Sequence, residues 1–147
     1  MTTIIAGLQN SVLVLESSKN GWKTYESMKG SHPQSIAFDR LNPRRAYCGT
    51  FGDGLWKTDN SGRTWDNIGK NGISISSITS VSVSPWKEGN DRFSKIYVGT
   101  EPSALYASSN GGESWERMSD LNKLGSAKSW SFPPRPWTHH VRWIEPD

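Results

Sequence analysis

The sequence predicts an all-β protein built as an array of four-stranded antiparallel units, and three observations carry that expectation. The first is an internal duplication. At a constant offset of fifty, Tyr47, Gly49, Thr50 and Leu55 recur as Tyr97, Gly99, Thr100 and Leu105, and Trp56 is answered by the aromatic Tyr106. Thr58-x-Asn60-x-Gly62-x-Thr64-Trp65 recurs as Ser108-x-Asn110-x-Gly112-x-Ser114-Trp115, with Asp66 or Glu116 after each tryptophan. A period of roughly forty to fifty residues marks a unit that buries its apolar face against a copy of itself. The second is composition: 14 Gly, 8 Trp and only 33% hydrophobic residues, so that large aromatics must supply the buried area. The third is the lack of apolar residues at three-four spacing; the stretch 119–124 has room for a turn of helix at most.

With 147 residues the chain suits one domain. Residues 2–6 are a short β-branched run closed by Gly7; Gln9-Asn10-Ser11 turns the chain, and residues 12–15 make a second strand. The turn Ser17-Ser18-Lys19-Asn20-Gly21-Trp22 looks like a worn copy of the duplicated motif, and a third strand follows around Tyr25. Unit one, 1–29, is therefore incomplete. Pro33 opens the next, 30–70. Its strands are expected at 35–39, with Ile36 and Phe38 on one face, at 46–50, at 55–58 and at 64–68. Gly52-Asp53-Gly54 suits a tight hairpin between the middle two, because glycine accepts positive φ without strain. Unit three, 71–119, repeats this at 78–84, 95–100, 104–108 and 114–118, with a polar insertion at 85–93 that reads as a surface loop. A long connection follows, 120–138, whose portion 125–138 holds Trp130, Phe132, Trp137 and three prolines without regular structure; loops of that length are functional or disordered. Residues 139–147 match the opening strand of the second unit and are read as the first strand of a further or partner unit.

A net charge of +3 is mild. The only tight basic group, Arg40, Arg44 and Arg45, lacks an aromatic stacking platform and reads as a solvated loop, so no nucleic-acid partner is expected. The lone Cys48 falls in an apolar strand pattern and is expected in the core, with no cofactor or disulfide. The amino terminus has neither a basic n-region nor a long apolar h-region, and no run reaches transmembrane length; the expectation is a cytoplasmic protein without a membrane partner.

The two eight-residue segments resemble the Asp-box, the S-x-D-x-G-x-T-W hairpin of the BNR repeat family, and the flanking Tyr-x-Gly-Thr and aromatic positions extend the likeness over most of two units. The residues themselves describe a latch: Thr58 or Ser108 and Asn60 or Asn110 bond amides across a turn, Gly62 or Gly112 supplies the left-handed bend, and Trp65 or Trp115 packs back on the sheet beside Thr64 or Ser114. Asparagine replaces the family's aspartate in both copies, which keeps the acceptor and removes the charge. The resemblance implies a β-propeller whose first strands line a central tunnel and whose upper rim is made by the loops joining strand two to three and strand four to the next strand one. Unit one then holds strands two to four, and the chain amounts to about three blades. Three blades do not close a ring, so the expectation is either a portion of a longer propeller or two copies closing a six-bladed ring as a homodimer, the terminal strand of one completing the first blade of the other.

Candidate site residues follow from that implied geometry. Gln34, Thr79 and His140 fall at roughly corresponding places near the tunnel mouth. His139 and His140 are weak metal candidates, since neighbours on a strand point to opposite faces. Upper-rim candidates for ligand binding are Phe51, Trp130, Arg135 and Trp137, with Asp53 and Glu101 as weak catalytic candidates; aromatic faces beside charges suit a glycan, or the aromatics simply pack the loop. Family sialidases use an arginine cluster, but here Arg40, Arg44 and Arg63 fall in turns and only Arg142 in a first strand, which argues against that activity. The expected function is a non-catalytic propeller that binds a protein segment or glycan, with a glycoside hydrolase as the alternative.

Overall fold

The computed structural model describes every residue except 88 and 90, so the loop expected at 85–93 lies partly outside the described residues. Eleven strands among the described residues form three antiparallel sheets. Sheet one is a meander of β1 (Thr3–Gly7), β2 (Val12–Ser18) and β3 (Gly21–Ser27). Sheet two orders β4 (Pro33–Phe38), β5 (Ala46–Thr50), β6 (Gly54–Thr58) and β7 (Asp66–Asn67). Sheet three repeats it with β8 (Ile78–Val83), β9 (Ile96–Thr100), β10 (Leu105–Ser108) and β11 (Glu116–Arg117).

Each sheet is apolar on both faces near its second strand, and the core therefore lies between sheets. Val12, Val14 and Cys48 are fully buried between sheets one and two, with Ile5, Tyr25, Ile36 and Trp65 packed around them. Tyr47, Leu55, Ile78, Val98 and Tyr106 form the larger cluster between sheets two and three. Glycine sets the spacing. A Cβ on Gly49 would stand 2.5 Å from Ile78 Cγ2, so only a bare backbone lets β8 cross β5 this closely.

The fourth strands are shorter than the expected 64–68 and 114–118. Thr64 and Ser114 are drawn out of the ladder: the Thr64 amide donates to Asn60 Oδ1 at 2.9 Å and the Ser114 amide to Asn110 Oδ1 at 3.0 Å. Pairing resumes past the tryptophan, where the Ile68 and Met118 amides reach the carbonyls of Leu55 and Leu105. The Ser17–Trp22 turn is not a copy of that hairpin; Ser18 pairs directly with Gly21, leaving a two-residue turn with no room for a latch.

One expectation for the C-terminal third is corrected. The connection 125–138 is not without regular structure. A 3-10 helix at Ser119–Lys123 is followed by a second at Gly125–Ser129, whose amide bonds run back three residues and so need no apolar period for the sequence to betray. Residues 140–144 have no ladder partner among the described residues of the chain. They nevertheless dock on sheet three: the Val141 amide donates to Thr100 O at 3.1 Å, and Val141 O accepts from Thr79 Oγ1 at 2.7 Å and Ser80 Oγ at 2.9 Å.

Candidate functional site

Four of the candidates named from sequence meet on one end of sheets two and three. Thr100 ties the loop after β9 into a knot, its Oγ1 donating to Pro102 O at 2.6 Å and accepting from the Ala104 amide at 3.1 Å. That holds Glu101 with only 7% of its surface exposed. The long loop closes on itself through bonds from the Phe132 amide to Thr138 O and from the Arg135 amide to Phe132 O, both 2.8 Å, and so presents the Arg135 guanidinium to the carboxylate. Arg135 grips it with both arms, Nε to Oε1 at 2.9 Å and Nη2 to Oε2 at 2.8 Å. The same guanidinium lies 5.4 Å from the centre of the Phe51 ring and 5.0 Å from that of Phe132. His140 completes the group, its ring 4.6 Å from Phe132 edge to face and its Nδ1 3.7 Å from Glu101 Oε2, with no hydrogen bond to that nitrogen among the described residues.

His139 makes contacts of its own. Its Nδ1 accepts from the Ser103 amide at 3.3 Å, and its ring meets Trp130 edge-on at 5.5 Å. Beside it opens a cleft of about 390 Å3 lined by Leu121, Trp130, Phe132, both histidines and Val141. Its walls are mainly aromatic and aliphatic, with imidazole edges and the Ser103 backbone as polar points, a composition suited to holding a small ligand or side chain.

Other candidates stand apart. Asp53 is exposed on the β5–β6 loop; its carbonyl accepts from Trp56 Nε1 at 3.0 Å and Asn67 Nδ2 at 2.9 Å. It lines a separate groove of about 360 Å3 with Met28, Trp56, Arg63 and Trp65, and no hydrogen bond or ion pair joins it to Glu101. Trp137 is 79% exposed and outside the cleft. The correspondence of Gln34, Thr79 and His140 is off by one. Ile36 faces Gly7, Val81 faces Gly49 and Val141 faces Gly99, so the residue two places before Val141, His139, answers Gln34 and Thr79. Bulges at Pro33/Ser35 and Ile78/Ser80 add a residue that a simple alignment misplaces. Among the described residues no three His, Cys, Asp or Glu side chains gather as a metal site. The basic group is dispersed: Arg45 is spent on Asp59 at 2.6 Å, while Arg40 lines a groove with Arg142.

Three antiparallel sheets succeed one another, each packed against the first strand of the next through a central glycine, and known structures resemble the chain in fold. A crystal structure of the GH74 xyloglucanase from Xanthomonas campestris matches 78% of this chain with a TM-score of 0.54 and 20% identity, over 21% of its own length. YCF48 bound to D1 peptide matches 76% with a TM-score of 0.54 and 14% identity, over 35% of its own length. The three sheets are β-propeller blades. A curated relative, the probable oligoxyloglucan-reducing end-specific xyloglucanase of Neosartorya fischeri, is 33% identical over 92 residues, which is 58% of this chain and 10% of that protein. The chain thus spans about a third or less of the proteins it matches. No family model matches it.

In propeller terms β4 and β8 are first strands, and together with residues 142–146 they line a groove of about 400 Å3. Sequence reasoning missed Phe132, which joins Arg135 to His140, and Ser103, which positions His139. The run Phe132-Pro133-Pro134-Arg135 held a usable signal, since two prolines enforce a turn that returns the flanking ring and cation to one side.

Proposed function

We propose that the chain is part of a non-catalytic binding propeller of the BNR type, which takes a protein segment or a glycan into the cleft beside Trp130 and His139. The observation that carries the reading is the Glu101–Arg135 pair. Hydrolysis of a glycoside needs two carboxyl groups about 5 to 10 Å apart with oxygens free to hold a proton or attack. Both oxygens of Glu101 are engaged by Arg135, and Asp53 lines a different groove. What remains open is an aromatic wall, which stacks on sugar faces or apolar side chains without any chemistry. The solved relatives include a propeller described as bound to a peptide.

The alternative, a glycoside hydrolase, is favoured by the likeness to the Neosartorya xyloglucanase. Titration with xyloglucan oligosaccharides and with short aromatic peptides, followed by amide chemical shifts, paired with an assay for release of reducing ends, separates the two. Shifts centred on Trp130, Phe132 and His139 without turnover support the binder. Turnover that is lost in Asp53→Asn or Glu101→Gln sinks it.

A further inference from the structure

We infer that the groove between blades one and two is a docking site for an Asn-Gly turn of a partner protein, seated beside Trp65 as residues 69–72 of this chain are seated beside Trp115. The two seams of the molecule start and finish alike. Ser27 stands opposite Val12 as Ile68 stands opposite Leu55, and Val12 and Leu55 each face the central glycine of their blade, Gly7 or Gly49. At the far end the Phe51 amide donates to His32 O as the Glu101 amide donates to Ser77 O. Between those anchors the second seam carries four more residues, since Ser77 follows Ile68 by nine positions and His32 follows Ser27 by five. The extra stretch is one turn, closed by the Ile73 amide donating to Gly69 O at 3.2 Å.

What the turn covers in seam two lies open in seam one. Gly72 rests on Trp115, where an added Cβ would come within 2.6 Å of Trp115 O and 3.1 Å of its Cβ, and Asn71 Nδ2 donates to Glu113 O at 2.8 Å. Just beyond it, Ser74 Oγ lies 3.2 Å from Tyr106 Oη. Trp115 and Tyr106 are accordingly buried. At the offset of fifty their counterparts are Trp65 and Trp56, both half-buried, and both line a groove of about 360 Å3 with Met28, Lys29, Asp53 and Arg63. Arg63 O, the counterpart of Glu113 O, accepts no hydrogen bond among the described residues.

The polar edges of both rings are engaged, Trp65 Nε1 with Ser27 Oγ and Gly62 O and Trp56 Nε1 with Asp53 O. The groove therefore offers apolar ring surface beside one carbonyl acceptor, which suits a backbone without a Cβ next to a carboxamide donor. It is also preformed. The shorter connection turns on Met28 at a left-handed φ of 51°, pinned by the Ser31 amide and Oγ donating to Met28 O at 3.1 and 2.7 Å and by the Gly30 amide donating to Asn10 O at 2.8 Å. A methionine held in that region is strained, and a wall fixed before binding lowers the ordering cost of a ligand. The lining residues all fall within 27–65, and none is shared with the cleft beside Trp130, so this site stands or falls separately from that one.

The probe is the end-blocked hexapeptide Ile-Gly-Lys-Asn-Gly-Ile, the sequence of residues 68–73. Titrated into the folded chain at millimolar concentration, it is expected to shift the amide and indole signals of Trp56, Thr64 and Trp65 and to leave those of Trp130 and His139 in place. Aspartate for its asparagine removes the donor to Arg63 O, and alanine for its second glycine adds a Cβ against Trp65; each is expected to weaken binding about tenfold. Lys29→Trp fills the groove from its exposed side and is expected to abolish the shifts with unchanged circular dichroism. No shift at Trp65, shifts centred on Trp115 or Trp130 instead, equal binding by the three peptides, or xyloglucan oligosaccharides binding at Trp65 in preference to the peptide overturns the inference.

Discussion

Cys48 sits at full burial between the first two blades, and burial alone pushes its thiol up to about 12. Only the thiolate alkylates readily, so iodoacetamide at pH 8 is expected to leave native Cys48 unmodified and to modify it once denaturant opens the blades; fast native labelling would contradict its placement. Arg135 poses a different case. Its removal leaves the Glu101 carboxylate buried without either of its hydrogen bonds, and an unsatisfied buried charge costs more than the pair contributed. Because the guanidinium is itself partly open to solvent, Arg135→Ala is expected to lower stability by about 1–3 kcal/mol in urea denaturation, with Glu101→Gln in the same chain recovering part of the loss. Asp59 carries a pH dependence. Partial burial works against its charge, but the hydrogen bond from Arg45 and the charge of Lys57 outweigh that and hold its carboxyl below the ordinary value. A carboxyl depressed in the folded state contributes stability that is present above the unfolded value and lost as pH falls through the folded one. Acid below about pH 4 is therefore expected to erode stability more in the wild type than in Asp59→Asn; equal acid sensitivity would remove Asp59 from the account.

At the scale of the element, the duplicated hairpin works through one hydroxyl. Thr58 Oγ1 accepts from the amides of Asn60 at 3.2 Å and Gly62 at 2.9 Å, and Ser108 Oγ repeats both contacts in blade three. Thr58→Ala or Ser108→Ala leaves those amides without an acceptor and is expected to cost about 1–2 kcal/mol, read from the denaturation midpoint. The two copies differ at the tryptophan. Trp65 Nε1 donates to Ser27 Oγ at 3.1 Å and to Gly62 O at 3.0 Å, whereas Trp115 Nε1 is buried with no hydrogen-bond partner among the described residues. Ile68, against which Gly112 packs, stands on blade two where Ser27 stands on blade one. Trp65→Phe is thus expected to be the more costly of the two phenylalanine substitutions by about 1 kcal/mol, although the sequence copies look equivalent.

Across the molecule, stability resides in the seams between blades more than within any sheet, because the large buried side chains belong to clusters that two sheets share. Gly49→Ala tests this directly: the methyl would meet Ile78 at 2.5 Å and β8 would have to retreat, at an expected cost of about 1–3 kcal/mol. Alanine at Gly21, where nothing lies within 4 Å, strains only its own backbone; a larger loss there than at Gly49 would shift the weight from seams to turns. The chain by itself determined the order of the strands within the three sheets, the hairpin latch, the burial of Cys48 and the unequal first blade, since these depend on local periodicity and on residue types repeated at fixed spacing. Only the tertiary structure decided that Glu101 is answered by Arg135, that Asp53 lies in another groove, and that His139 rather than His140 falls in the tunnel-mouth series. Each of those turns on a bulge or on a loop closing over more than thirty residues, and contacts of that range leave no period in the sequence to read.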